Sequence, residues 1–307
     1  MSLTQREALR SRVMKIVVHD TASAMDKLLR LPLEERPGAL RELLDPLQDA
    51  MSVGGVDLMQ MHEMGCGFRI DREDPRYLAA LERMRDARVW ERVEEQLGAA
   101  WERLRPVVAS GLRAAETVHV VLVLGDPDDD LLMRNAGYTG LGGFPGAIHL
   151  TMWPTEVGLA KIGHAAAHEL HHNVRYANVV WDPVAVTVGE QVVAEGLAEA
   201  FVRELSGAEA MGPWATAVSG AELDAAYKKI TGAIDVAGMP NLPPYVYGDT
   251  TARRMGLEPV GLPDNAGYAV GLRIADAHLG ASGVSAAESV GLSAREVLAS
   301  AGVVAGA

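Results

Sequence analysis

Cysteine is nearly missing from this chain: Cys66 is the single one among 307 residues. One thiol excludes an intrachain disulfide framework and any zinc site built from several cysteines. Aromatic residues are also scarce, at 5%, so Ala, Val and Leu must fill most of the core. Nowhere do about 18 uncharged apolar residues follow one another, the minimum for a membrane-spanning helix. The N-terminus, Met1-Ser2-Leu3-Thr4-Gln5-Arg6-Glu7, has no apolar run of the signal-peptide kind. A cytoplasmic protein with no membrane partner is therefore expected. Positive charge is in deficit: 28 Lys and Arg stand against 41 Asp and Glu, for a formal net charge of -13. So acidic a surface repels phosphate backbones, and nucleic acid is not an expected partner. What remains is ordinary for a globular protein, 49% hydrophobic and 22% charged residues, in a length suited to one large domain or two modest ones. Oligomeric state is not legible.

Residues 1 to about 115 read as an N-terminal helical region. Apolar residues recur at helical spacing in Val13, Ile16 and Val17, in Met25, Leu28 and Leu29, and, after Pro32 and Pro37, in Leu40, Leu43 and Leu44. Between Tyr77 and Leu112 the expected inner face is Leu81, Met84, Val89, Val93, Leu97 and Leu104. Gly65-Cys66-Gly67 interrupts the helices and reads as a loop thiol. The character changes at Thr117. Thr117 to Leu124 is β-branched, apolar and closed by Gly125-Asp126-Pro127, a strong strand signal. A glycine-rich connection, Gly137 to Gly146, leads to a second strand at Ala147 to Met152. No Gly-Lys-Ser/Thr follows the glycines, so they are not a phosphate loop. They suit a substrate strand pairing with the edge at Ala147 to Met152. Asp126, Asp128, Asp129 and Asp130 lack the spacing of a calcium loop and read as a solvated turn.

The chemistry concentrates in His164-Ala165-Ala166-Ala167-His168-Glu169-Leu170-His171-His172. Its core is H-E-x-x-H, formed by His168, Glu169 and His172. On a helix, residues four apart differ by about 40° of rotation and one turn of rise, so both imidazoles face the same way and can share a cation. The alanines and Leu170 favour helix, and no Pro or Gly breaks the span. Glu169 is placed to reach a metal-bound water without ligating the metal. Downstream, Glu195-Gly196-Leu197-Ala198-Glu199 lies in a second helical stretch, Glu190 to Leu205. It offers a carboxylate, and two His with one carboxylate and an open fourth position make a catalytic zinc site.

H-E-L-H-H followed by E-G-L-A-E-A-F resembles the gluzincin metallopeptidases. More closely, residues from about 137 to 280 resemble a family of predicted zinc-dependent proteases, domain of unknown function 2268. The shared features are Gly140-Leu141-Gly142-Gly143 before a strand, the His168 motif, the Glu195 motif, and Gly267-Tyr268-Ala269-Val270-Gly271. The resemblance covers about half the chain. It implies a zincin-like catalytic domain, α+β and mostly helical, with a small sheet and a two-helix metal site, and the change of character at Thr117 sets that domain at residues 116–307. It also implies peptide-bond hydrolysis, with Zn2+ as cofactor, a peptide or protein as substrate, and Glu195 as third ligand beside His168 and His172. Glu199, one turn further, is the competing ligand and otherwise orients a ligand histidine. His164 is expected to pack or to support the site from outside the ligand set, His171 to point away, and His119 and His149 to be structural.

Peptide hydrolysis also needs a donor for the oxyanion, and Tyr268, then Tyr247, are the candidates. Two other readings stand beside the peptidase. One is a catalytically inactive zincin-fold binding module with a structural metal, although such a site has no need of Glu169. The other is a di-iron protein built on Glu169-x-x-His172, which needs a second E-x-x-H on a helix. The only other copy, Glu116-Thr117-Val118-His119, runs into the strongest strand.

Overall fold

A computed structural model describes residues 14–303, which divide into two compact units after Ala177. In the first unit the β-branched run Thr117–Leu124 forms strand β2, over the span its composition predicts. Lys15–Val18 forms strand β1 and pairs in parallel with it, Lys15 opposite Thr117 and Val18 opposite Val120. Strands β3, Tyr138–Leu141, and β4, Ala147–Met152, complete a sheet of order β1-β2-β4-β3. Strand β4 runs parallel to β2 and antiparallel to β3. Every residue of β4 and the last five of β2 are buried. Strands covered on both faces read as continuous apolar runs instead of alternating ones.

Ile16 and Val17, which fit a helical spacing in the sequence, lie in strand β1. So short an apolar run suits either period, and pairing with β2 decides between them. Val13 lies outside the described residues. The glycine-rich segment also departs from expectation. Its own β3 occupies the side of β4 that the sequence leaves open, so among the described residues the edge strand on that side is β3.

Helices α1 (Thr21–Leu29), α2 (Arg36–Leu44), α3 (Gln48–Val53), α4 (Leu58–Met64), α5 (Arg76–Asp86) and α6 (Val89–Ala109) separate β1 from β2. Leu81, Met84, Val89, Val93, Leu97 and Leu104 are all fully buried. Arg88, in left-handed conformation with φ of 52°, separates α5 from α6. A short helix, α7 (Asp130–Arg134), precedes β3, and α8 (Glu156–Tyr176) follows β4 and packs along α6. The acidic turn is held by cations and backbone. Asp128 pairs with Arg72 and Arg76, and Asp129 caps α7 by accepting from Leu131 and Leu132 N–H.

The second unit is helical: α9 (Val188–Ser206), α10 (Gly220–Thr231), α11 (Pro243–Val246), α12 (Asp249–Arg254), α13 (Ala266–Ser282) and α14 (Ala294–Ser300). Helices α9 and α13 cross where Gly196 meets Gly271. A Cβ on either would fall onto the other helix's backbone, the carbonyl oxygens of Gly271 and Val192 respectively. The chain is thus α+β and mostly helical, with one small mixed sheet. Among the described residues, no helix is long and apolar enough to cross a membrane.

Candidate metal centre

Helix α8 begins where extended Thr155 turns its hydroxyl back to accept from Gly158 N–H at 2.9 Å, an N-cap that satisfies one of the free first-turn donors. Three turns on, the alanines bring His168 and His172 to one face. Their ring centroids lie 4.6 Å apart with planes at 83°, and both side chains are buried. In the second unit, α9 is capped in the same way, Thr187 accepting from Glu190 N–H. Glu195 is buried on it and accepts from Gln191 Nε2 at 2.9 Å.

One donor atom from each of His168, His172 and Glu195 lies within 4.8 Å of the others. Among the described residues, this is the group of His, Cys, Asp or Glu side chains able to hold a metal ion. Two imidazoles and one carboxylate suit zinc and leave a coordination position open. The residues present therefore fit the ion that the motif implies.

His164, His171 and Glu199 are not in that group. His164 is half-buried, and burial, with Lys161 and Arg92 nearby, holds its imidazole below the ordinary range. Glu199 is buried and its two oxygens accept from Gly212 N–H at 3.0 Å and Trp214 Nε1–H at 2.6 Å. Trp214 in turn lies 5.9 Å from Tyr268 between ring centroids, and Tyr268 lies 6.2 Å from Tyr247. The two candidate oxyanion donors therefore belong to one row of half-buried rings whose far end is anchored by Glu199. His119 is on β2 and pairs with His19 at 2.9 Å. Its E-x-x-H is not helical, as the di-iron reading requires.

Glu169 is buried in the middle of α8, against strand β3. Gly140 lies directly over its carboxyl arm and Gly142 over its backbone. The register Tyr138↔Met152 through Leu141↔His149 extends to Trp153 N–H donating to Gly137 O. Bonded pairs alternate in an antiparallel ladder, so Gly137, Thr139 and Leu141 face β4. The N–H and C=O of Gly140 point to the open edge. Asn173, one residue past His172, fastens the following loop. Its Nδ2 lies 2.9 to 3.1 Å from the carbonyls of Gly142, Phe144 and Ala147, and its Oδ1 accepts from Gly146 N–H.

Neither Asn173 nor Trp214 stands out in the sequence. An Asn beside an H-E-x-x-H helix and a Trp beyond the second motif gain meaning only from their bonding partners. The glycines were visible, but as a site for substrate rather than as clearance for Glu169.

No solved structure gives a significant match to the chain. A relative described as uncharacterized protein YjfC, from Bacillus subtilis, is 30% identical over 306 residues, spanning 94% of this chain and 99% of its own. A second from the same organism, uncharacterized protein YjaZ, is 30% identical over 146 residues, 47% of this chain and 52% of its own. The profile of the family described as "Predicted Zn-dependent protease (DUF2268)" matches residues 95–299, and with two thirds of its length so matched the chain belongs to that family.

Proposed function

We propose that this protein is a zinc metallopeptidase in which His168, His172 and Glu195 hold the ion and Glu169 transfers protons. The observation that carries the reading is the convergence of the three donor side chains within 4.8 Å, with a buried carboxylate next in sequence to the first of them. Zinc there would supply Lewis acidity, polarising a carbonyl and lowering the pKa of water towards about 7. Glu169 takes the proton from the water that attacks the peptide carbonyl. When the C–N bond breaks, it delivers that proton to the departing amine. Tyr268, with Tyr247 as second candidate, donates to the oxygen that gains charge. The outward N–H and C=O of Gly140 give an extended peptide backbone a place to pair, directly above Glu169. The substrate is accordingly a peptide or an unfolded segment of a protein.

The test is metal content per chain, with cleavage of an unstructured protein such as casein assayed on the same preparations. About one zinc is expected in the native protein, strongly reduced in His168→Ala and Glu195→Ala. Glu169→Gln is expected to keep its zinc and lose cleavage by on the order of 10³-fold or more, given what general acid–base catalysis contributes. A native protein that takes up no zinc sinks the reading. Zinc retained with no cleavage by either native or Glu169→Gln favours a binding module with a structural metal, and equal cleavage by both removes Glu169 from the chemistry.

A further inference from the structure

Two glycines of one segment touch Glu169, and the atoms they touch differ. A Cβ at Gly140 would stand 2.5 Å from Glu169 Oε1, 2.6 Å from its Cγ and 2.8 Å from its Cδ. At Gly142 it would fall onto the carbonyl oxygen of Glu169, 2.7 Å from Cβ and 2.8 Å from the carbonyl carbon. Real Cβ contacts stay beyond 3.0 Å, so neither position admits even alanine without movement. Neither glycine has a positive φ. Space, not backbone conformation, is what requires glycine here.

What must move is different in the two cases. The carboxyl arm of Glu169 rotates about its χ angles at modest cost, whereas the backbone of α8 is held by its own hydrogen-bond ladder. Strand β3 has little freedom to lift away, because Asn173 ties the loop immediately after it to the same helix. A methyl at position 140 is therefore accommodated by the carboxylate, and a methyl at position 142 by distortion of the helix.

We infer that Gly140 is a positioning residue: its bare Cα is the wall that fixes where the Glu169 carboxylate sits. Gly142, by contrast, serves folding. The inference rests on the reading of Glu169 as the proton-transferring group. It gives one residue of the edge strand two tasks, its peptide groups facing substrate and its missing side chain setting the carboxylate.

The experiment compares full-length, zinc-loaded Gly140→Ala, Gly142→Ala and Gly98→Ala with the native protein. Gly98 faces open space on the solvent side of α6 and serves as the control for glycine replacement itself. Gly140→Ala is expected to keep its zinc, its Tm and its KM for a casein-derived peptide, while kcat falls on the order of 10²-fold, the penalty of an ångström-scale misplacement. Gly142→Ala is expected to lose Tm, and Gly98→Ala to keep kcat. A crystal structure of zinc-loaded Gly140→Ala is expected to show the Glu169 carboxylate displaced by roughly 1 Å. Native kcat in Gly140→Ala, loss of its zinc, a Tm loss equal to that of Gly142→Ala, or a carboxylate that has not moved each overturns the positioning role. Because the displacement is read without an assay, a native protein that cleaves nothing counts against the peptidase reading alone.

Discussion

Glu195 and Glu199 are one turn apart on α9, chemically identical, and both buried; their surroundings separate them. Both oxygens of Glu199 accept from N–H groups of the 212–214 turn, while Glu195 shares a group with two imidazoles. Helical spacing alone cannot make this distinction, since an i, i+4 pair of carboxylates faces the same way whichever one binds, and only the family resemblance favours Glu195 in the sequence. His168 and His172 were legible because two ligands and a base at fixed helical spacing are a local pattern. The role of Glu199 depends on Trp214, which no local rule connects to it. Glu199→Gln leaves one of two buried N–H donors facing an amide instead of a carboxylate. A loss of about 1.5–3 kcal/mol is expected in denaturant titration, the usual worth of a hydrogen bond to a charged group. Zinc content at saturation is expected to hold in Glu199→Gln and to fall in Glu195→Gln. The reverse result would exchange the two assignments.

Helices and strands differ in how far they were readable. Strands β2 and β4 are each a single strongly biased run, and their limits fall where the composition ends. Strand β1 is four residues long and owes its form to β2, one hundred residues away, so no window of its own sequence shows it. The exchange of β3 for β4 at the edge has the same cause, because strand order is set by pairing and not by propensity. At the crossing of α9 and α13, Gly196 faces the carbonyl of Gly271 with no flexible side chain between them. Gly196→Ala is expected to cost at least the ~1–3 kcal/mol typical of overpacking, since both obstructing groups are helix backbone. Gly98→Ala is expected to have the opposite sign, a gain of about 0.5–1 kcal/mol from restricting the unfolded chain at an exposed helical position. Urea midpoints of the two variants against the native protein decide the matter, and a shared sign would mean that one of the two sites does not behave as its surroundings dictate.

For the molecule as a whole, the formal charge of -13 counts every histidine as neutral, and burial keeps several of them neutral well below the pH at which an exposed imidazole takes up its proton. His62 and His149 are buried in the first unit with ring centroids 6.5 Å apart. His62 Nε2 lies 2.9 Å from the carbonyl of Phe68, while His62 Nδ1 and His149 Nε2 find no hydrogen-bond partner among the described residues. Burial holds His62 below its ordinary range. Burial first, and then repulsion from His62, push His149 down from 6.5 to about 3. The sign of the consequence follows. Above pH 6.5 both folded and unfolded chains carry a neutral imidazole, and stability is unaffected. As pH falls below 6.5 the unfolded chain takes up a proton that the folded chain refuses until about pH 3, so stability declines through that window. At 1.36 kcal/mol per unit, His149 alone accounts for a loss of about 2 kcal/mol between pH 8 and pH 5, and His62 adds to it. Asp128, lowered to about 2 by its bond to Arg76 and then by Arg72, is ionised in folded and unfolded chains alike between pH 8 and pH 5, so it contributes nothing to the difference between those two values. Urea titrations at pH 8 and pH 5 are expected to show that loss in the native protein. In His149→Leu, which fills similar volume with a group that does not titrate, the difference between the two pH values should shrink by about 2 kcal/mol, whatever the substitution does to stability at pH 8. A difference that stays the same would mean that His149 takes up its proton in the folded protein, and that the space beside His62 admits a charge.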